Sequence, residues 1–319
     1  MTDLGISMDG RAPMADIPAQ ARAAEEGGAS TLWIACHLFL RDPITTAAVA
    51  LAATSRIKIA LMAMSPYSVH PVFTAMAAAT LDEMFPGRVI LSLGVGAPAD
   101  LEASGLKPVK PLVTLNEAIA LSRALFAGEL VSHQGQAFQV QGRRLINGPR
   151  NIPIVLAASR PNMLALAGKA SDGVLISAAT APAFVRACLD HAEKGAAGRP
   201  FGKFGIVYTR LGTSETEAMD AIRRPIGFVL RGAHHAENIR LSGAPLDQTA
   251  LWNAYAAEDW AEVERLVSDE VVRRHAACGT PEQIRQKLHE YRAIGLDEVI
   301  LGGIDDADSI AAVLAAAHG

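Results

Sequence analysis

Residues 57–96 read IKIALMAMSPYSVHPVFTAMAAATLDEMFPGRVILSLGVG, with two apolar runs on either side of a longer helical stretch. The runs at 57–64 and 88–96 predict strands, since strands buried on both faces of a parallel sheet are apolar along most of their length. Pro71 fits the first position of a helix, and Pro86-Gly87 ends the helical stretch. The segment therefore predicts a strand–helix–strand unit of a parallel sheet.

The same alternation of an apolar strand and a helical stretch gives eight strand–helix pairs along the 319 residues. Eight pairs favour a TIM (β/α)8 barrel over an open doubly wound sheet. No composition break marks a second domain, so we expect one α/β domain over residues 1–319. The predicted strands are 3–7, 31–35, 57–64, 88–96, 152–158, 172–179, 204–212 and 298–304.

Three further stretches carry local signals. Thr114 and Glu117 have the spacing of a capping box and predict a helix start. Residues 130–146 alternate like a small hairpin or an extended insertion. Residues 214–277, which begin with Ser214 and Glu217, predict a long helical region.

Composition and charge exclude several classes of protein. The net charge is -4 and there is no basic block, so a nucleic-acid or anionic-membrane partner has no electrostatic support. No apolar run reaches the roughly 18 residues of a membrane span, and the N-terminus does not resemble a signal peptide. The three cysteines show no metal or redox spacing, and the histidines form no ligand motif. We therefore expect a cytoplasmic protein without a metal site.

A glycine-rich stretch follows the fourth predicted strand. Gly94, Gly96 and Ala99 fit the loose dinucleotide pattern G-x-G-x-x-A. That fingerprint requires a helix that begins at once, whereas the residues after Pro98 resemble a loop until about Thr114. We favour instead a strand end at which a ligand approaches the backbone of the two glycines, which have no Cβ atom.

The fifth and sixth predicted strands both end in small residues just before a helical stretch. Small side chains leave backbone N–H groups accessible, and helix N-termini favour anions. We therefore favour a phosphate site between these two strand ends, the alternative being ordinary tight turns. The residues are Ala157, Ala158, Ser159, Ser177, Ala178, Ala179 and Thr180.

Two other strand ends carry candidate functional residues. The second strand runs into Cys36 and His37, which are either a half-buried pair at a strand end or part of an active site. The third runs into residues 62–71, either a plain loop or a ligand-binding segment. Active sites of TIM barrels lie at the carboxyl ends of the strands. We expect one barrel mouth that gathers residues 7–9, 36–37, 62–65, 94–97, 157–159 and 177–180.

Four stretches, taken in order, resemble the bacterial luciferase-like family of flavin- and deazaflavin-dependent oxidoreductases. They are LWIACHLFLRDP (32–43), ATSRIKIALMAMSPYSVHP with ATLDEMFPGRVILSLGVG (53–71 and 79–96), LAASRPNMLALAGKASDGVLIS (156–177) and CGTPEQIRQKLHEYRAIGLDEVIL (278–301). The resemblance covers nearly the whole chain and is strongest to the branch that uses coenzyme F420, the methylene-tetrahydromethanopterin reductase type.

The resemblance implies a TIM barrel with helical insertions, the longest between strands seven and eight at about 214–278. It places a cofactor ring at the barrel mouth, above a non-proline cis peptide that matches Met62–Ala63, with Met64 and Ser65 beside it. It places the cofactor phosphate near the ends of strands five and six. Members of the family are usually dimers, so a homodimer is expected.

The activity implied by the resemblance is hydride transfer between coenzyme F420 and a small organic substrate. The first alternative is an FMN-dependent monooxygenase that uses O2 and reduced flavin from a partner reductase. The second is a non-catalytic flavin-binding relative.

The chain departs from the family pattern at three acidic positions. Cys36 stands where many deazaflavin-dependent members carry Asp, Ser7 where the pterin reductases carry an acidic residue, and Ala97 where some members carry Glu. The candidate catalytic residues are therefore Ser7, Cys36 and His37. We predict that His37 is a hydrogen-bond donor or proton shuttle, since its reference pKa of about 6.5 suits that work. We predict that Cys36 is a small, mostly buried contact, because a neutral thiol lacks the charge and the two acceptor oxygens of an aspartate.

Overall fold

The computed structural model describes residues 2–318, and its centre is a sheet of nine parallel strands that closes on itself. A separate antiparallel hairpin is formed by two more strands within residues 130–146, as predicted. In chain order the strands are β1 (Asp3–Met8), β2 (Thr31–Ala35), β3 (Lys58–Met64), β4 (Val89–Leu93), β5 (Val131–Gln134), β6 (Gln139–Arg143), β7 (Ile154–Ala157), β8 (Gly173–Ile176), β9 (Gly202–Leu211), β10 (Ala276–Gly279) and β11 (Glu298–Gly302).

Eight of the strands form the barrel, in the order β1, β2, β3, β4, β7, β8, β9 and β11. The barrel closes because β9 pairs with both β8 and β11. β10 pairs only with the carboxyl half of β9, at Tyr208–Leu211, and extends the sheet beyond the barrel. The predicted eight-stranded TIM barrel is therefore confirmed.

Helices surround the barrel and follow most of its strands. They are α1 (Ile17–Glu26), α2 (Pro43–Ala53), α3 (Pro71–Met84), α4 (Pro98–Ala103), α5 (Pro111–Phe126), α6 (Pro161–Ala170), α7 (Pro182–Ala196), α8 (Glu215–Leu230), α9 (Ala236–Ser242), α10 (Gln248–Ala256), α11 (Trp260–Leu266), α12 (Asp269–His275), α13 (Pro281–Ala293) and α14 (Ala307–His318). A short 3-10 turn at Ala233–His235 precedes α9.

Several of these helices begin at residues that favour a helix start. Asp42 caps α2, since its carboxylate accepts a hydrogen bond from the backbone N–H of Thr45 at 2.6 Å. Thr280 and Gln283 form a capping box at the start of α13. Pro71 is the first residue of α3. The predicted helical region ran to residue 277, but residues 276–279 form β10 instead, because they pair with the carboxyl half of β9.

The capping box predicted at Thr114 and Glu117 is wrong. α5 begins three residues earlier, at Pro111, and the Thr114 hydroxyl donates to the carbonyl of Val109 at 3.1 Å. The Glu117 carboxylate accepts hydrogen bonds from three backbone N–H groups of the hairpin, at residues 136–138 and 2.8 to 3.1 Å. Glu117 therefore ties the hairpin to α5, a contact that the local spacing could not indicate.

The stretch after Pro98, predicted to be a loop, forms the short helix α4. Pro98 occupies its first turn, where a backbone N–H would have no partner within the helix, so the missing N–H of proline costs nothing. Asp100 is an acidic residue near the N-terminus of the helix. The glycines before α4 nevertheless follow a strand of a closed barrel, so the expectation against an open dinucleotide-binding sheet holds.

Apolar side chains fill the barrel interior and surround one buried carboxyl group, that of Glu298. Trp33, Met62 and Ile300 belong to the inner apolar cluster. Glu298 accepts hydrogen bonds from the indole N–H of Trp33 at 2.8 Å and from the hydroxyl of Thr31 at 3.2 Å. Burial raises the pKa of Glu298. A Cβ atom at Gly5 would lie 2.1 Å from the Glu298 carboxylate, so a larger residue at this position would have to displace the carboxylate.

We expect Gly5→Ala to lower the free energy of unfolding by about 1–3 kcal/mol, the usual cost of overpacking a core. Urea unfolding of the single variant, of Glu298→Ala and of the double variant tests this. In the double variant the added methyl group no longer meets the carboxylate, so the cost of Gly5→Ala should shrink. If Gly5→Ala lowers the free energy of unfolding equally in the unchanged protein and in Glu298→Ala, the added methyl group does not clash with the carboxylate.

The residues between β9 and α13 form the five α-helices α8 to α12 and the strand β10, and they share an apolar cluster of their own. Buried members from α8 to α12 include Ile222, Leu251 and Val263. Ala179, in the loop between β8 and α7, also belongs to this cluster. The helical region therefore packs directly on one strand-end loop of the barrel.

Within residues 2–318, no helix combines the length and the apolar composition that a membrane crossing requires. In the same residues no group of three or more His, Cys, Asp or Glu side chains is arranged to hold a metal ion.

Candidate active site

The predicted site residues lie at the carboxyl ends of barrel strands. Because the strands are parallel, these ends all lie on one face of the barrel, where TIM-barrel enzymes place their active sites. Ser7 lies in the last part of β1, residues 36–37 follow β2 and residues 62–65 end β3. Residues 94–97 follow β4, 157–159 end β7 and 177–180 follow β8. The predicted convergence at one mouth is therefore confirmed, whereas their roles stay predictions.

The end of β3 forms a bulge. The Met62–Ala63 peptide is cis, as the resemblance implied, and the pairing register of β3 with β4 shifts between Leu61 and Met64. Met62 and Met64 are buried, and Ala63 is partly exposed. The bulge therefore presents a small side chain at the mouth.

Small residues at the ends of the neighbouring strands β4 and β7 lie beside Ala63 at the mouth. A Cβ atom at Gly94 would lie 2.9 Å from the Cβ of Ala63 and 3.4 Å from the Cβ of Ala157. We call Ala63, Gly94 and Ala157 the small-residue shelf. Gly96 has a φ of 101°, which favours glycine, and its Cβ would lie 3.3 Å from the hydroxyl of Ser65. The Ser65 hydroxyl donates to the carbonyl of Val95 at 2.6 Å, so it fixes the loop after β4.

The loops after β7 and β8, which were predicted to hold a phosphate, differ in the solvent exposure of their residues. Ser159, Ser177 and Ala178 are partly exposed at the ends of β7 and β8. Ala179 and Thr180 are buried, and the Thr180 hydroxyl donates to the carbonyl of Ser177 at 3.0 Å. Ser177 and Ala178 are therefore the residues of this loop that a ligand could contact, whereas Ala179 and Thr180 are enclosed.

His37 and Cys36 differ sharply in environment. His37 is half exposed, and its Nδ1 lies 3.4 Å from a carboxylate oxygen of Asp100 in α4. Burial, followed by the charges of Asp42 and Asp100, raises the pKa of the Cys36 thiol to about 11. The thiol is therefore neutral at ordinary pH, which agrees with a contact role and not with a nucleophile.

Sequence reasoning missed Asp100. The stretch that carries it was predicted to be a loop, so nothing placed its carboxylate near His37. Ala97 itself offers no carboxylate, yet α4 brings that of Asp100 to the same mouth three residues later. A proline followed by an acidic residue is a helix-start signal that the sequence did offer.

Sequence reasoning also missed Tyr208 on β9. Ile206 belongs to the inner cluster, and side chains alternate along a strand, so Tyr208 faces inward one layer nearer the mouth. Its ring lies over β11, where a Cβ at Gly302 would be 3.3 Å from the ring. β9 is four strands from β3 in either direction around the barrel, so Tyr208 lies opposite the cis bulge.

Burial, and then the charge of Asp9, raises the pKa of Tyr208 to about 12. The phenol is therefore a permanent hydrogen-bond donor at ordinary pH. Asp9 itself is exposed and forms an ion pair with Arg11 at 3.2 Å. Ser7 is partly buried beside these residues at the end of β1.

Two cavities adjoin the mouth. One, of about 350 Å³, lies beyond the end of β1 and has Asp9, Arg11, Arg41 and Asp305 in its wall. The other, of about 290 Å³, lies between the end of β4 and α4 and is mostly apolar, with Val95 and Leu101 in its wall. The mouth therefore has a charged side and an apolar side.

Comparison with known proteins agrees with this geometry. Residues 2–298 match the family model described as luciferase-like monooxygenase. The 5,10-methylenetetrahydromethanopterin reductase of Archaeoglobus fulgidus is 30% identical over 290 residues, which cover 88% of this chain and 87% of that protein. The protein of the same name from Methanolobus tindarius is 30% identical over 305 residues, 93% of each chain.

A solved structure has the same fold. It is the coenzyme F420 dependent tetrahydromethanopterin reductase from Methanopyrus kandleri, with a TM-score of 0.88, 22% identity and coverage of 98% of this chain and 97% of that one. The barrel, the matched residues and the two relatives together confirm the predicted resemblance: the chain belongs to the luciferase-like monooxygenase family.

Proposed function

We propose that this protein is an oxidoreductase that transfers a hydride between coenzyme F420 and a small organic substrate. Two relatives at 30% identity are named as methylenetetrahydromethanopterin reductases, and the solved structure of the same fold is named as F420 dependent. The observation in this chain that carries the proposal is the small-residue shelf beside the cis bulge, with Tyr208 across the mouth from it.

The mouth fits a flat ring that carries a phosphate. Any side chain larger than that of glycine at position 94 would occupy the surface between Ala63 and Ala157. The loops at 157–159 and 177–180 each lead into a helix of ten residues or more, whose N-terminus favours an anion. When bound, the coenzyme supplies a ring carbon that accepts or donates the hydride.

The chain's own residues would handle protons and positioning. With Asp100 beside Nδ1, the Nε2 atom of His37 remains to hold or move a proton at the substrate. The phenol of Tyr208 would donate a hydrogen bond to a polar substrate atom, and Ser7 would offer its hydroxyl at the same mouth from the end of β1. Cys36 would serve as a neutral contact. Met62, Met64 and Ser65 shape the bulge below, and closure of the mouth by a bound substrate would exclude water.

The test is a titration of the purified protein with coenzyme F420 and with FMN, followed by ligand fluorescence. We expect a micromolar Kd for F420 and at least about tenfold weaker binding of FMN, a difference of about 1.4 kcal/mol. Gly94→Val fills the shelf and should abolish F420 binding. Ala99→Val, exposed in α4 nearby, is the control and should bind as the parent does.

Other outcomes lead to the alternatives. Tighter FMN binding, with O2-dependent turnover of reduced FMN supplied by a reductase, would identify a monooxygenase. Cofactor binding without turnover of any substrate in a broad panel would indicate a non-catalytic flavin-binding protein.

We also propose that residues 1–319 act as one domain, that two copies form a homodimer and that the protein works in the cytoplasm. A dimer is supported by exposed apolar side chains on one face of α3, at Phe73, Met76 and Met84. A reducing compartment is supported by three unpaired cysteines, Cys36, Cys188 and Cys278.

A further inference from the structure

One buried asparagine of the helical region holds the loop between β8 and α7. Asn238 lies on α9 and is 0% exposed. Its side-chain Oδ1 accepts a hydrogen bond from the backbone N–H of Ala181 at 2.9 Å, and its Nδ2 donates to the carbonyl of Ala179 at 2.8 Å. A single amide side chain therefore pairs with both a donor and an acceptor of the same loop.

The loop has a conformation that its own residues do not favour. Ala179 has a φ of 52°, in the left-handed region that residues other than glycine seldom adopt. A second hydrogen bond from outside the loop comes from Tyr291 of α13, whose hydroxyl donates to the carbonyl of Thr180 at 2.7 Å. Side chains from two distant helices therefore impose the conformation of residues 179–181.

We infer that Asn238 is a positioning residue: by holding the buried residues 179–181 it orients Ser177 and Ala178 before them and the first turn of α7 after them toward a phosphate-bearing cofactor. The inference rests on the proposed function, because it assigns Asn238 to the loop that the proposal places at the phosphate. α7 begins at Pro182, directly after the loop, and anions at a helix N-terminus are bound by backbone N–H groups whose direction the loop determines. Without the amide, Ala181 N–H and Ala179 C=O lose buried partners, and the loop must move to find others.

The experiment compares coenzyme F420 with a ligand that lacks the phosphate and the tail attached to it. That ligand is the phosphate-free chromophore, the 8-hydroxy-5-deazaflavin that carries only the ribityl chain. We expect Asn238→Ala to weaken F420 binding about tenfold, the scale of about 1.4 kcal/mol, and to change binding of the phosphate-free chromophore by less than about twofold. The ratio of the two affinities is the decisive readout, since a general loss of structure lowers both.

Two further variants complete the design. Ser242→Ala is the matched control, because Ser242 is buried on the same helix but its hydroxyl donates to Ile239 within α9. It should leave the ratio unchanged. Tyr291→Phe keeps the ring and removes only the hydrogen bond to Thr180, so it should lower the ratio in the same direction, by about threefold. Tyr291→Phe decides the matter if Asn238→Ala does not fold.

The outcomes separate this inference from the proposed function. If the unchanged protein binds neither ligand, the proposed function fails and this inference fails with it. If the unchanged protein binds F420 and the variants lose both ligands equally, or lose neither, the proposed function stands and the positioning role of Asn238 is overturned.

Discussion

Replacing His37 by alanine should lower the turnover number at least about a hundredfold, the loss expected when an acid–base group is removed. His37 lies half exposed at the barrel mouth with its Nδ1 3.4 Å from Asp100, so its other ring nitrogen can exchange a proton with a bound substrate. The dissociation constant of the cofactor should change little, because the loss is in proton transfer and not in binding. Steady-state oxidation of reduced F420, with a substrate found by panel screening, provides the measurement.

Replacing Cys36 by serine should leave turnover within about tenfold, well below the loss expected for an acid–base group. The thiol, with its pKa raised to about 11, is neutral, and serine keeps a small neutral side chain in its place. Greater damage from the serine variant than from His37→Ala would mean that the roles of the two residues are exchanged.

Lowering the pH from 6.5 to 4.5 should remove about 2–4 kcal/mol from the free energy of unfolding. Burial, followed by the charges of His234 and His275, lowers the pKa of His235 to about 3. Burial also lowers the pKa of His275 to about 4, with Lys287 and Arg274 acting in the same direction. Below the unfolded-state pKa of about 6.5 the unfolded chain takes up protons that the folded chain does not, so stability falls as the pH falls.

The structure explains why these two rings stay neutral. The Nδ1 of His275 bonds to the carbonyl of Val271 at 2.7 Å, and Asn238 approaches the Nδ1 of His235 at 3.4 Å. The Nε2 atom of each ring is buried and has no hydrogen-bond partner among residues 2–318. No carboxylate contributes to either lowered pKa, so a second proton on the ring would be a buried charge without compensation.

Urea unfolding at several pH values tests this. His275→Phe keeps a ring of similar size and should reduce the slope of unfolding free energy against pH by about 1.4 kcal/mol per pH unit between pH 6 and 5. It also loses the bond to Val271, which should cost about 1 kcal/mol at every pH. His289→Gln, at an exposed position of α13, is the control. A slope for His275→Phe equal to that of the unchanged protein would show that His275 does not cause the pH dependence.

The sequence by itself determined the barrel, because its evidence is local. Apolar runs such as 57–64 and 88–96 mark strands, and Pro71 and the Asp42 cap mark helix starts, over a few residues each. Once the parallel strands close into a barrel, their carboxyl ends lie on one face and form the mouth. The cis peptide at Met62–Ala63 came from the family resemblance, since nothing in the local composition requires it.

The tertiary structure decided which side chains meet at the mouth and what holds them there. Asn238 bonds to Ala179 across 59 residues, and Glu298 to Trp33 across 265. The pairing of His37 with Asp100 depends on α4, whose start signal at Pro98 did not indicate which side chain it would approach. The Tyr208 ring packs over Gly302, where a Cβ atom would lie 3.3 Å from it. Periodicity and spacing report on neighbours in the chain. Contacts of this kind depend on barrel closure and on how the helical region packs against the β8–α7 loop, which no short stretch of sequence contains.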